Sequence, residues 1–238
     1  MTIFYITGTS MGIGKAIAEQ ALQIEDSIIY GFSRTCSIEH EKYKHTLIDL
    51  SNINEVNSLK IEKYPAAFKV VLINNAGVVG EIKSIGSQTN ESIVKVFNLN
   101  TICPVLLSNK FIQTYKDLSV SIVIINISSG AGRHPIESWA PYCASKAAID
   151  MFSQVLQAEN GYEANNIKIF SIAPGIVDTN MQQQIRDSKS NDFPHLEKFI
   201  GYKKDGQLTT SDSIAKKILE IIEKPLEHPN VLLDVRNH

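Results

Sequence analysis

Residues 2–20, TIFYITGTSMGIGKAIAEQ, join a short apolar run to a helical pattern through a glycine-rich turn. Gly8, Gly12 and Gly14 are spaced G-x-x-x-G-x-G. Glycine lets the backbone bend tightly and lets a pyrophosphate approach where a Cβ would block it. The helix that follows offers free N–H groups and a positive dipole end. This stretch therefore predicts a buried strand, a phosphate-cradling turn and a helix, the opening unit of a nucleotide-binding α/β fold. Ser10 and Ile13, inside the same turn, are candidate cofactor contacts with the three glycines.

The remainder of the chain repeats that alternation. Strand candidates are 2–7, 27–33, 45–50, 69–76, 120–128, 167–173 and 230–235, and helical stretches begin near Gly14, Asn52, Glu91, Tyr142 and Ser211. Apolar, β-branched runs separated by helices predict a parallel sheet covered on both faces. Right-handed crossovers then give a doubly wound, Rossmann-like sheet in one α/β domain spanning 1–238. The polar stretch 181–210 carries only a few apolar residues, among them Phe193, Leu196, Phe199 and Ile200. It follows a strand end, so it is expected to be a flap over a site.

Composition narrows the class. Of 238 residues 43% are hydrophobic and 20% charged, and the formal net charge is -2. That balance points away from a nucleic-acid or anionic-membrane surface. No apolar run reaches the roughly 18 residues that span a bilayer. The N-terminus reads as a strand rather than a signal peptide. Cys36, Cys103 and Cys143 are too scattered for a disulfide framework, and the histidines lack metal spacing, so a metal-free, reduced, cytoplasmic protein is expected.

The second strand ends in Ser33 and Arg34. An acidic residue there would suit a free ribose 2′-OH, whereas a serine and a guanidinium suit a 2′-phosphate. The cofactor expectation is therefore NADP(H). Asp49 can accept from an adenine amino group, or either it or Ser51 can cap the next helix. Asn75, Ala76 and Gly77 of NNAG follow an apolar strand, at the end where doubly wound sheets bind ligands.

In YCASK, Tyr142 and Lys146 stand four apart. Four helical residues advance about 6 Å and turn about 400°, so the two side chains share a face. A nearby ammonium lowers a tyrosine pKa and makes the phenol a usable acid or base. Ser129 can donate to the same substrate oxygen.

Taken together, TG-x-x-x-GIG, NNAG, a serine thirteen before the tyrosine, YxxxK and APG at 173–175 resemble the short-chain dehydrogenase/reductase family over nearly the whole chain. GFSRT, NISSGAGRHP, WAPYCASKAAIDMF and APGIVDTNMQ are most similar to its sepiapterin-reductase branch. The resemblance implies Tyr142 as general acid/base and Lys146 as the group that holds the nicotinamide ribose and lowers the tyrosine pKa. It implies Ser129 as the residue that orients the carbonyl. It also implies Asn100, rather than Asn98, as the support of a water relay, because Pro104 lies four further on. Pro174, Ile176 and Thr179 are expected beside the nicotinamide. Family members that prefer NADP often carry a basic residue where this chain has Met11, so the phosphate preference rests on Arg34. The implied activity is NADPH-dependent reduction of an α-dicarbonyl or aromatic ketone such as benzil, in a homodimer or homotetramer. A pterin reductase, an alcohol dehydrogenase and a non-catalytic NADP(H) sensor are the alternatives. Arg133, His134, Pro135, Ile136, Trp139, Met181 and Phe193 are the candidate pocket residues.

Overall fold

The computed structural model describes residues 1–161 and 166–237. Seven strands form one parallel sheet: β1 (Thr2–Thr7), β2 (Ser27–Ser33), β3 (Tyr43–Leu47), β4 (Lys69–Asn74), β5 (Ser121–Ile127), β6 (Ile167–Ala173) and β7 (Leu232–Asp234). Their order is β3-β2-β1-β4-β5-β6-β7. The chain winds outward from β1 in one direction and from β4 in the other. The carboxyl ends of these two neighbours form the switch point where such sheets bind ligands.

Alternation along each strand builds two cores. Phe4, Ile6, Val71, Ile73, Val123 and Ile125 point to one face, where α1 (Gly12–Ala21) packs beside α8 (Ser211–Glu223). Ile3, Tyr5, Val70, Leu72, Ile122 and Ile124 point to the other, covered by α4 (Cys103–Tyr115) and α5 (Ala140–Asn160). A strand buried on both faces reads as a continuous apolar run, and that is why these segments were legible.

Three expectations are corrected at their edges. The third strand lies at Tyr43–Leu47 instead of 45–50, because the chain turns out of the sheet around Asp49. The last strand shrinks to Leu232–Asp234. The long central helix expected from Glu91 is three segments: α3 (Asn90–Phe97), a π-helical turn (Asn98–Ile102) and α4. Pro104 accounts for the break. It has no N–H for the carbonyl of Asn100, four residues back, and its ring crowds that carbonyl. The turn widens, and the Cys103 N–H bonds Asn98 instead.

The polar stretch 181–210 is more ordered than its composition suggests. It holds most of α6 (Asn180–Arg186) and all of α7 (Leu196–Lys204), with Phe193 buried between them. Among the described residues, no helix is long and apolar enough to cross a membrane.

Candidate active site

The glycine turn and the NNAG segment are built against each other. Thr7, the last residue of β1, accepts hydrogen bonds at its Oγ1 from the backbone N–H of Asn75 (2.9 Å) and of Ala76 (3.0 Å). The Asn75 amide donates to the carbonyl of Thr7 at 3.0 Å and of Gly8 at 3.3 Å. Gly14 lies directly beneath: a Cβ there would stand 2.3 Å from Asn75 Nδ2 and 2.4 Å from the Gly8 carbonyl oxygen. Gly8 and Gly12 hold φ values of 74° and 60°, the region glycine enters freely.

The start of α1 is left open. Met11 is its N-cap and makes no side-chain cap. By contrast α2 (Ile53–Ser58), α3 and α8 are capped by Asn52, Thr89 and Thr210. The unpaired N–H groups at the first turn of α1 thus fit a pyrophosphate. A cleft of about 690 Å³ runs from this turn across the carboxyl ends of β1, β4 and β5. It is lined by Gly8, Ser10, Gly12, Ile13, Ser33, Arg34 and Asp49 at one end, and by Asn75, Ala76, Gly77, Pro174, Ile176 and Thr179 along its middle. Gly14 does not line it; its part is to let two loops touch.

At the adenosine end the two side chains read from the sequence differ in freedom. Arg34 is exposed over the cleft. The Ser33 hydroxyl donates to the Thr35 carbonyl at 2.9 Å, which leaves its oxygen as an acceptor only. Thr9, Tyr43 and His45 back it through a hydrogen-bonded chain of 2.7 and 2.9 Å. Asp49 caps neither helix nor strand. It accepts from the Ser51 N–H and hydroxyl at 2.9 and 2.7 Å, and these bonds, together with the Arg34 and Lys95 charges, hold its carboxyl below the usual range. Asn52, not Asp49 or Ser51, caps α2.

The other end gathers Ser129, Tyr142 and Lys146. Ser129 begins a 3-10 turn (Gly130–Gly132), where its Oγ accepts from Ala131. Tyr142 and Lys146 lie on one face of α5, both buried, with the ammonium 5.8 Å from the phenol ring centre. Lys146 donates to the Ile127 carbonyl at 2.7 Å. Burial pushes the Tyr142 phenol up to about 12, and the Ser129 hydroxyl offsets part of the rise. Burial lowers Lys146 to about 8, opposed by the Asp150 charge. In this arrangement burial governs the phenol, and the lowering comes from Ser129 rather than from the lysine neighbour that the sequence suggested.

Asn100 stands behind Gly77 rather than in the cleft. Its amide donates to the Val78 carbonyl and to Ser145 Oγ, and its Oδ1 accepts from the Val78 N–H. Asn98 points elsewhere, to the Ser51 carbonyl. A Cβ on Gly77 would stand 3.2 Å from Asn100 Oδ1 and 3.6 Å from Lys146 Nζ, so asparagine and lysine flank one point of the loop.

Around the mouth, His134, Pro135, Ile136, Trp139 and Met181 line the cleft as expected. Two expected residues do not. Phe193 is buried behind Trp139, stacked at 5.4 Å and 14°. Arg133 turns away to bond Asp150, because the adjacent Gly132 packs directly on the α5 backbone. Sequence reasoning missed Thr7, Asp150, Gln182 and the C-terminal Asp234 and Arg236, of which the last three line the cleft. Thr7 had a signal, a hydroxyl closing an apolar strand. The C-terminal pair had none, since only the sheet brings β7 there. Ser138, just before α5, is the one non-glycine among the described residues with a positive φ (69°), and its hydroxyl donates to the Asp192 carbonyl at 2.6 Å.

The family model described as short chain dehydrogenase matches residues 2–190. A Bacillus subtilis (strain 168) benzil reductase ((S)-benzoin forming) is 35% identical over 240 residues, covering 97% of each chain. Mus musculus sepiapterin reductase is 28% identical over 242 residues, covering 92% of this chain and 90% of its own. A solved short chain dehydrogenases/reductase from Saccharomyces cerevisiae superposes with a TM-score of 0.80 at 24% identity, covering 99% of this chain and 96% of that one.

Proposed function

The chain belongs to the short-chain dehydrogenase/reductase family, oxidoreductases that use nicotinamide cofactors, and on that premise we propose that it is an NADPH-dependent reductase of α-dicarbonyl or aromatic ketones such as benzil. The observation that carries this reading is the convergence of Ser129, Tyr142 and Lys146 at one end of a cleft whose other end is an uncapped helix start beside Arg34. Gly8, Ser10, Gly12 and Ile13 are suited to the pyrophosphate, and Arg34 to a 2′-phosphate. NADPH, when bound, supplies the hydride.

The chain's own residues do the remainder. Tyr142 gives its proton to the carbonyl oxygen. Ser129 donates to that oxygen and fixes its position. Lys146 holds the nicotinamide ribose, and its charge stabilises the phenolate that forms. Asn100 anchors the loop against which Lys146 sits and supports resupply of the proton. Trp139, T-shaped on the Tyr142 ring at 5.6 Å, gives the substrate end an aromatic wall. Residues 181–210 act as a flap over that end. The protein works in the cytoplasm as a homodimer or homotetramer.

The test is reduction of benzil, small diketones and pterins, followed by loss of reduced-nicotinamide absorbance with NADPH and with NADH. Turnover of benzil, faster with NADPH, supports the reading. Tyr142→Phe is expected to abolish turnover while keeping NADPH binding; full activity in that variant overturns the mechanism. Binding of NADPH without reduction of any carbonyl compound favours a sensor instead.

A further inference from the structure

Beneath the cleft lies a charged cluster that the chemistry above does not use. Asp150 follows Lys146 by one turn of α5 and is buried. Its Oδ2 accepts from Arg133 Nε at 3.1 Å and its Oδ1 from Ser171 Oγ at 2.5 Å. Arg133 also reaches the carbonyls of Leu233 (3.3 Å) and Ser171 (3.5 Å). One carboxylate is thus tied to β6, β7 and the turn that carries Ser129.

We propose that Asp150, braced by Arg133 and Ser171, is a positioning residue that keeps Lys146 charged and sets the distance between Ser129 and Tyr142. The proposal rests on the carbonyl-reductase reading. Three features support it. A buried carboxylate costs more than an apolar residue of similar shape, so packing alone does not account for Asp150 one turn from the buried Lys146. The turn Ser129–Arg133 meets α5 at both ends, with Ser129 beside Tyr142 and Arg133 on Asp150, so the ion pair fixes the whole turn on the helix. Gly132 permits this, since a Cβ there would stand 2.8 Å from the Lys146 carbonyl carbon. The groups that face Lys146 are Tyr142 and Asp150 on its own helix, the Ile127 carbonyl of β5 and the neutral amide of Asn100. Arg133 stands behind Asp150. Burial strips charge from Lys146, and the Asp150 carboxylate opposes it.

The sign of the effect follows. The Asp150 charge raises the pKa of Lys146, so its removal lowers it, and the alkaline limb that depends on this lysine moves to lower pH. The experiment measures the pH dependence of kcat/KM for benzil and of the NADPH dissociation constant, in wild type, Asp150→Asn and Arg133→Gln. The alkaline limb is expected to fall by about one pH unit in Asp150→Asn. It is expected to rise in Arg133→Gln, where the carboxylate is left to act on Lys146 alone. Opposite displacements support the proposal. A loss of activity in both variants with unmoved limbs assigns the cluster to packing and overturns it. Wild-type protein that reduces no carbonyl compound defeats the functional reading. In that case the pH dependence of NADPH binding decides the proposal: displaced as above it stands, unmoved it falls.

Discussion

Asn100 holds Val78 by both of its backbone polar groups, accepting from its N–H at 2.9 Å and donating to its carbonyl at 2.9 Å. This reciprocal clamp joins the π-helical turn to the loop after NNAG. It leaves the asparagine one remaining donor bond, which goes to Ser145. The widened turn that Pro104 imposes is thus what brings an amide to the back of the cleft.

Asn100→Ala leaves two half-buried backbone groups of Val78 without their side-chain partner. A loss of about 1–3 kcal/mol is expected. Thermal melting should show it, together with a lower kcat. A variant that melts like wild type would show that the Val78 clamp carries no stability.

Gly14→Ala places a methyl group where Asn75 and the Gly8 carbonyl now stand. The Gly8 carbonyl is backbone and the Asn75 amide is pinned by its bonds to the Thr7 and Gly8 carbonyls, so the glycine turn and the NNAG loop must part. NADPH affinity is expected to fall ten-fold or more, with a loss of stability of about 1–3 kcal/mol. Fluorescence titration with NADPH and a melt measure both.

Lys146→Met is expected to inactivate the enzyme and to stabilise the fold. Its folded pKa, about 8, lies below the unfolded value of 10.5, chiefly through burial. The penalty for burying the charge is therefore full below pH 8 and is relieved as pH rises towards 10.5. It amounts to about 3 kcal/mol, against about 1.5–3 kcal/mol for the lost charge-assisted bond to Ile127, so a net gain of at most about 1 kcal/mol is expected at pH 7. Denaturant unfolding at pH 7 and pH 10 tests this; the gain should shrink at the higher pH.

Arg34→Ser should weaken NADPH by about 10- to 100-fold, the worth of a charge-assisted contact, and leave NADH little changed. The ratio of kcat/KM for the two cofactors is the readout. An unaltered ratio would remove Arg34 from the 2′-phosphate site.

Phe193→Ala removes the ring stacked on Trp139. A cost of about 3–5 kcal/mol is expected for so buried a phenylalanine. Loosening Trp139 should also raise KM for benzil more than for a small aliphatic diketone. Steady-state kinetics on the two substrates separate a wall for aromatic substrates from simple packing.

The strands and the covering of the sheet on both faces were legible because each strand is a run of apolar residues with helices between, and local pattern is enough to define such units; the order β3-β2-β1-β4-β5-β6-β7 came from the tertiary structure. Gly8, Gly12 and Gly14 were legible for a related reason: backbone geometry at a strand-to-helix turn restricts the residue type on the spot. Tyr142 and Lys146 share a face by helix geometry alone, and the sequence determines that much. Four further facts belong to the tertiary structure. Gly14 touches Asn75, Arg133 leaves the cleft for Asp150, Phe193 lies buried in a polar stretch, and Asp234 and Arg236 reach the cleft from the far end of the chain. Each joins segments that are distant in sequence or turns a side chain by the packing around it. The acidity of Tyr142 belongs here too, since helical spacing says that a lysine is near, but burial sets which charge the site will tolerate.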